Sequence, residues 1–234
     1  MGEVLNASRP ENLNDLLAYL MRESGMKDGM KILDSGCGIC GPATYYASHL
    51  KVDITSVTIS EVQYKIAREK IAAAPLIGSV NLILGDYNKS GEMFPPESFD
   101  LAYFAEAFCY AENPIEMLNT VYKLLKPGGI LYMKDFFLID DLKKENEPLY
   151  NKIRIKINEF YATNLTDEFN DINSFSKILH ASPFQVQFIR KPLYKTDNYS
   201  LYKVYQGMGD LGSDDANDVI RVFDFYEAKA IKPL

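Results

Sequence analysis

Residues Lys31–Tyr46 read KILDSGCGICGPATYY, and three kinds of chemistry compete for them. Cys37 and Cys40 make a Cys-x-x-Cys pair, the spacing of a redox couple or of half a zinc site. Gly36, Gly38 and Gly41 spell Gly-x-Gly-x-x-Gly, the pattern of a dinucleotide loop. The third reading is a loop for a different adenosyl cofactor.

A thioredoxin-type pair also sits where a strand feeds a helix, so position does not separate the readings. Redox chemistry, however, needs only the two thiols and gives no reason for three glycines. A cofactor loop needs glycine where the backbone turns sharply and a ligand comes close. Zinc takes four ligands, and Cys109 is the only other thiol in the chain. A nicotinamide loop is followed about 20 residues later by an acid that holds the ribose. Here the second strand ends in Ser56-Val57-Thr58, with no carboxylate. Asp34, just before the loop, would face an incoming pyrophosphate and suits a cationic ligand better.

The 234 residues suffice for one large domain or two small ones, and at 47% hydrophobic they can form a full core. No apolar run approaches the roughly 20 residues of a membrane span. The opening MGEVLNASRPENLND lacks the apolar core of a signal peptide, and Asn6 stands where a myristoylation signal has Ser or Thr. A net charge of -7 and a pI near 5.0 argue against a nucleic-acid surface. Lys152, Arg154 and Lys156 read as one face of a solvated helix. Three cysteines cannot make a disulfide framework and suit the cytoplasm, and His49 and His180 alone give a metal site little material.

Along the chain, Leu13, Leu16, Leu17, Leu20 and Met21 recur at helical spacing up to Gly25. After the glycine loop, PATYYASHL reads as a helix with Pro42 in its first turn. VDITSVT is strand-like, and ISEVQYKIAREKIAAA is helical with Ser60 as N-cap. VNLIL and SFDLAYFA are strands, NPIEMLNTVYKLL is a helix closed by a turn at KPGG, and ILYMKDFF is a further strand. Such alternation predicts a parallel sheet with helices on both faces. Residues 140–181 read as helical and aromatic, FQVQFIRK and VFDFYEAKAI as two last strands, and the tyrosine-rich segment between them as a helix plus loop.

S-adenosylmethionine (SAM) is an adenosyl ligand with a sulfonium and an ammonium. KILDSGCGICGPATYYA resembles the first motif of class I SAM-dependent methyltransferases. VTISEVQ is similar to a Thr-Leu-Ser-x-x-Gln segment of their small-molecule branch, which includes sterol methyltransferases and cyclopropane synthases. LGDY resembles the motif after the third strand, and residues 99–135 the block from the fourth strand to the fifth. INSFSKILHASPFQVQFI resembles the lead into strand six. The resemblance implies an α/β, Rossmann-like, seven-stranded, mostly parallel sheet with one antiparallel strand and a helical cap. It implies one domain, with a cofactor core over 1–140, a cap and strand six over 141–221, and a final strand over 222–234.

It further implies that Asp34, Gly36, Cys37 and Gly38 surround the methionine end of SAM. Gln63 and Thr58 would meet the ribose, where an amide can both donate and accept. Asp86 would accept from the adenine amino group, with Tyr87 against the ring, and Ile59, Gly85 and Phe104 would also lie at the cofactor. For Gln63 the plainer reading is a surface glutamine, and for Asp86 an ordinary turn aspartate. Glu106 falls where sterol C-methyltransferases carry a glutamate that could remove a proton after methylation; otherwise it holds the cofactor or a nearby loop. Cyclopropane synthases have a bicarbonate-holding glutamate three positions later, and here that residue is Cys109. The other departure is Cys40, where the family has glycine, a change that is tolerated unless the backbone needs a positive φ. Tyr110 is a second catalytic candidate, and Phe137, Tyr194 and Tyr202 are candidates for an aromatic acceptor pocket. The expected activity is C-methylation of an isoprenoid-like or aromatic small molecule. N- or O-methylation of a natural product, and a cofactor-binding subunit without catalysis, stand as alternatives.

Overall fold

The apolar run Lys31–Ser35 forms strand β1, buried along all but its first residue. It pairs in parallel with β2 (Asp53–Thr58) on one side and with β4 (Phe99–Ala105) on the other. The computed structural model describes residues 13–193 and 221–234. Beyond β2 lies β3 (Ser79–Leu84), and beyond β4 lie β5 (Leu125–Leu138), β7 (Phe223–Ile231) and β6 (Gln185–Arg190). The result is a seven-stranded sheet in which β7 runs antiparallel to both β5 and β6, the one antiparallel strand expected. Because β1 sits between β2 and β4, the strand order reverses beside its C-terminal end, where open α/β sheets bind ligands.

Helices follow the sequence signals closely. In α1 (Leu13–Ser24), Leu17 and Leu20 join the core on one face of the sheet, and the helix stops at Gly25, φ 81°. Pro42 occupies the first turn of α2 (Gly41–His49), where its missing N–H costs nothing. The Ser60 hydroxyl caps α3 (Glu61–Ala73) by accepting from the Gln63 N–H. After the short α4 (Ser90–Met93), α5 (Pro114–Leu124) is capped by Asn113, which accepts from the N–H groups of Ile115 and Glu116.

Lys126–Gly129, read as a turn, is instead a bulge inside one long strand. Phe99 pairs with Leu125 but Leu101 with Ile130, so the extra β5 residues loop out. Bonds of 2.9 Å from Gly128 N to Lys232 O and from Lys232 N to Gly129 O tie this bulge to the end of the chain.

Four helices fill the region read as helical: α6 (Asp141–Glu145), α7 (Glu147–Tyr161), α8 (Asp167–Asn170) and α9 (Ile172–Ala181). Tyr150, Ile153 and Ile157 of α7 pack with Phe136, Leu138 and Phe223. Phe175 and Leu179 of α9 enter a different cluster together with Phe137. Phe137 is 2% exposed with its ring 4.6 Å from that of Phe175, so it is packing and not the wall of an acceptor pocket. In the basic stretch of α7, Lys156 stays at the surface with Glu159. Arg154 departs from the expected solvated face: its Nη1 donates to the Leu165 carbonyl at 3.0 Å. Tyr194, Tyr202 and the helix plus loop expected around them lie outside the described residues.

Candidate active site

A cavity of about 670 Å³ opens over the C-terminal ends of β1 and β4, within the range of small-molecule sites. The loop after β1 forms one wall. The N–H groups of Gly36 and Cys37 both donate to Val57 O, at 3.1 and 2.9 Å. Gly36 has φ +85°, and a Cβ there would stand 2.6 Å from the Ala107 Cβ, so only glycine fits. Gly38, φ +54°, has nothing within 4 Å of where a Cβ would be; its backbone is open to a ligand.

Cys40 has φ 56°, the left-handed region that glycine enters freely and other residues do not. The family's glycine thus has a backbone reason, and this chain holds a fully buried thiol in the strained conformation. The Cys37 thiol is pushed up by its hydrogen bond with Cys40 and then by burial, the reverse of an activated redox thiol. Cys37, Cys40 and Cys109 are all free and buried. Among the described residues no group of three or more acids, histidines or cysteines is placed to hold a metal ion.

Asp34 is the charged group beneath the loop. It is 2% exposed and accepts from the Ser56 hydroxyl at 3.0 Å. Burial raises it to about 7, while Tyr103 and Ser56 pull the other way; the Tyr103 hydroxyl is buried without a well-aligned partner. A cation delivered to this wall would take the place of the missing solvation.

Across the cavity, the Thr58 hydroxyl donates to Gln63 Oε1 at 3.1 Å. That bond fixes the amide and leaves its NH2 and one oxygen lone pair for a ligand. Asp86 does serve its turn: Oδ1 accepts from the backbone and side-chain nitrogens of Asn88 at 2.9 and 3.1 Å. Its second oxygen remains for a donor in the cavity. Beneath lies Tyr87, its hydroxyl donating to Ala107 O at 2.7 Å. Thr58, Ile59, Gln63, Asp86 and Tyr87 all line the cavity, as do Asp34, Gly36, Cys37 and Gly38.

Two expected cofactor residues do not reach it. Side chains alternate along β4, so Ala105 faces the cavity while Phe104 points into the core. Phe104 is 1% exposed, edge-on to Tyr87 at 5.8 Å and to Phe108 at 5.3 Å. Gly85 extends the sheet through a 2.9 Å bond to Thr58 O, and a Cβ there would meet the Met93 methyl at 3.2 Å.

At the far end stand Glu106 and Tyr110. Glu106 has φ 56°, and its carboxylate is paired with Lys134 on β5. Lys134 is itself 6% exposed at the side chain, with its ammonium 3.7 Å from the centre of the Phe225 ring. Tyr110 donates its hydroxyl to Tyr161 O at 2.9 Å, joining the cavity rim to the end of α7. Burial first, then neighbouring Cys109 and Asp135, raise this phenol to about 12. Sequence reasoning missed the group that positions this end, Asp135. Fully buried in β5, it accepts from the N–H groups of Phe108 (2.6 Å), Cys109 (3.2 Å) and Phe136 (2.9 Å), and burial raises it to about 7. The signal was a Lys-Asp pair inside the otherwise apolar strand LYMKDFF. Asn88 and Glu112, also unforeseen, line the cavity and are joined by a 3.1 Å bond from Glu112 N to Asn88 Oδ1.

Residues 33–133 match the family model described as a methyltransferase domain. That match covers less than half of the chain. Over 128 residues, 55% of the chain, it is 31% identical to a sterol 24-C-methyltransferase of Gibberella zeae and covers 33% of that protein. The chain spans about a third of the length of the curated relatives it matches first. Among solved structures, a geranyl diphosphate C-methyltransferase from Streptomyces coelicolor A3(2) superposes with a TM-score of 0.72 over 93% of this chain and 75% of its own, at 14% identity. The cyclase SpnF superposes with a TM-score of 0.71 over 94% of this chain and 81% of its own, at 18% identity. One methyltransferase fold thus bears names of different reactions, and the reaction must be argued from the site. No helix among the described residues is long and apolar enough to cross a membrane.

Proposed function

We propose that this methyltransferase domain binds SAM and methylates a carbon atom of a small, hydrophobic, isoprenoid-like acceptor, with Glu106 receiving the proton that is lost. The observation that carries the reading is a single cavity running from the Gly36–Gly38 cradle to Glu106 and Tyr110. The names of the relatives, a sterol C-methyltransferase and a geranyl diphosphate C-methyltransferase, point to the same acceptor class.

The residues fit the cofactor. Asp34 and the open backbone at Gly38 suit its ammonium-bearing end, Gln63 the ribose, and the second oxygen of Asp86 the adenine amino group. Bound there, SAM supplies a methyl group made electrophilic by its sulfonium. The chain's own work is to align an acceptor carbon with that methyl and to exclude water. An alkene that gains a methyl group becomes cationic, and hydrogens on the adjacent carbons become acidic enough for a carboxylate to remove. Lys134 holds the Glu106 carboxylate in place for that transfer, and the ring of Tyr110 offers a face to the cation. In this reading residues 1–140 serve the cofactor and residues 141–221 cover the acceptor. Three free thiols support a reducing compartment, the cytoplasm.

The test is transfer of labelled methyl from SAM to a panel of sterols, prenyl alcohols and aromatic acceptors. Glu106→Gln is expected to keep S-adenosylhomocysteine (SAH) affinity within about twofold and to lower turnover about 100-fold. A parallel loss of affinity and turnover would assign Glu106 to the cofactor and remove the proposed base.

A further inference from the structure

One amide in the cavity wall touches both the β3 end and the loop that follows β4. Asn88 lies in the single helical turn Tyr87–Lys89, which Asp86 caps, and it lines the cavity beside that acid. Its Oδ1 accepts from the Glu112 N–H at 3.1 Å, and its Nδ2 donates to Asp86 Oδ1 at 3.1 Å. A backbone N–H can only donate and a carboxylate can only accept, so these neighbours set the amide in one orientation. The backbone N–H of Asn88 reaches the same Asp86 Oδ1 at 2.9 Å. With two donors on Oδ1, the plane of the carboxylate is fixed and Oδ2 is left for a donor in the cavity. The Glu112 link is a second fastening of the loop, whose Ala107 carbonyl already accepts from the Tyr87 hydroxyl at 2.7 Å.

We propose that Asn88 is a positioning residue for recognition of the purine base: its NH2 aligns Asp86 so that the free oxygen accepts from a 6-amino group and rejects a 6-oxo group. The inference rests on the SAM reading and deepens it by naming a residue that acts on the base through Asp86. A 6-oxo-purine would set its carbonyl against the aligned Oδ2, acceptor against acceptor, with neither satisfied. Without the Asn88 NH2 the carboxylate turns more freely, so the contact with adenine weakens and the clash with a carbonyl relaxes. Affinity and preference therefore fall together.

Calorimetry of SAH against S-inosylhomocysteine, in which a carbonyl replaces the adenine amino group, reads the preference directly. The wild-type protein should bind SAH more tightly by about 30-fold or more. Asn88→Asp keeps an oxygen for the Glu112 N–H but sets a carboxylate against Asp86, whereas Asn88→Ala removes both bonds. Each should weaken SAH about threefold to tenfold and shrink the preference about threefold or more. In an Asp86→Ala background, Asn88→Ala should change SAH affinity by less than about twofold, because a residue that acts through Asp86 has nothing left to position. Three results would overturn the proposal and make Asn88 a brace for the loop: an Asn88→Asp protein that binds like wild type, variants that weaken both ligands by one factor, or an equal cost of Asn88→Ala in both backgrounds. An Asp86→Ala protein that keeps the full preference would overturn it by placing base recognition elsewhere in the cavity. Failure of the wild-type protein to bind SAH would sink the SAM reading itself.

Discussion

Asp34, next to last in β1, is a buried carboxyl lifted to about 7 from an ordinary 3.8. A carboxyl raised by folding holds its proton more firmly in the native than in the unfolded chain. Its contribution to stability is complete below 3.8 and is lost as pH climbs through about 7. A cation placed beside it favours the ionised form, so cofactor binding near pH 6 to 7 should release a proton. Calorimetry in buffers of different ionisation enthalpy reads this directly. Affinity should rise with pH up to about 7 and then level off. Binding without proton release would mean that Asp34 does not meet the cationic end. Asp34→Asn removes the buried charge and should stabilise the free protein near pH 8 by about 2 kcal/mol, at the expense of SAM affinity. Gly36 and Cys40 set the other constraints at this scale. Gly36→Ala drives a Cβ to 2.6 Å from Ala107 at φ +85° and should cost about 2–4 kcal/mol of stability, together with cofactor binding. At Cys40, φ 56°, glycine should be nearly neutral, since relief of strain offsets the lost thiol packing, whereas valine should cost about 2 kcal/mol or more. Thermal denaturation of the variants checks both.

At the scale of elements, the turn Phe108–Tyr110 depends on β5. Asp135 accepts three backbone N–H groups, two of them from this turn, and the turn presents Tyr110 to the cavity. Asp135→Ala strands those donors in the core and should cost about 3 kcal/mol. Asp135→Asn turns an amide NH2 toward one of them and should cost about 1–3 kcal/mol. In the asparagine variant SAH affinity should survive while methyl transfer falls, because Tyr110 moves and the Gly36–Gly38 cradle does not. Equal loss of both would place the turn with the cofactor. The elements themselves were legible because apolar periodicity and caps agree: Ser60 and Pro42 stand where those signals set them. The bulge at Lys126–Gly129 was not, because its Pro-Gly-Gly chemistry is that of a turn. Its place within a strand comes from pairing with Lys232, more than 100 residues away.

Across the whole molecule, strand–helix alternation anticipated a parallel sheet with helices on both faces, and the resemblance of the motifs supplied its seven strands and the antiparallel one. The loop and strand-end residues that line the cavity each lie within a few positions of a motif on which the resemblance rests. What escaped the sequence depends on facing. Phe104 and Ala105 are neighbours with opposite destinations, and periodicity of two does not say which is inward without the partner strands. Lys134 and Glu106 are joined across 28 positions, a pairing that only the β4–β5 register creates. The question posed by Cys37 and Cys40 is met at this scale too: the loop lies over the switch point with its thiols buried and its backbone at Gly38 open in the cavity wall.

The most direct measurement is calorimetric titration of the purified protein with SAM, SAH and NAD, with Asp86→Ala alongside. Both sulfur ligands should bind and NAD should not, and the variant should weaken SAH about tenfold by losing the adenine contact. Binding of NAD, or no binding of either sulfur ligand, would contradict the assignment of the cavity to SAM.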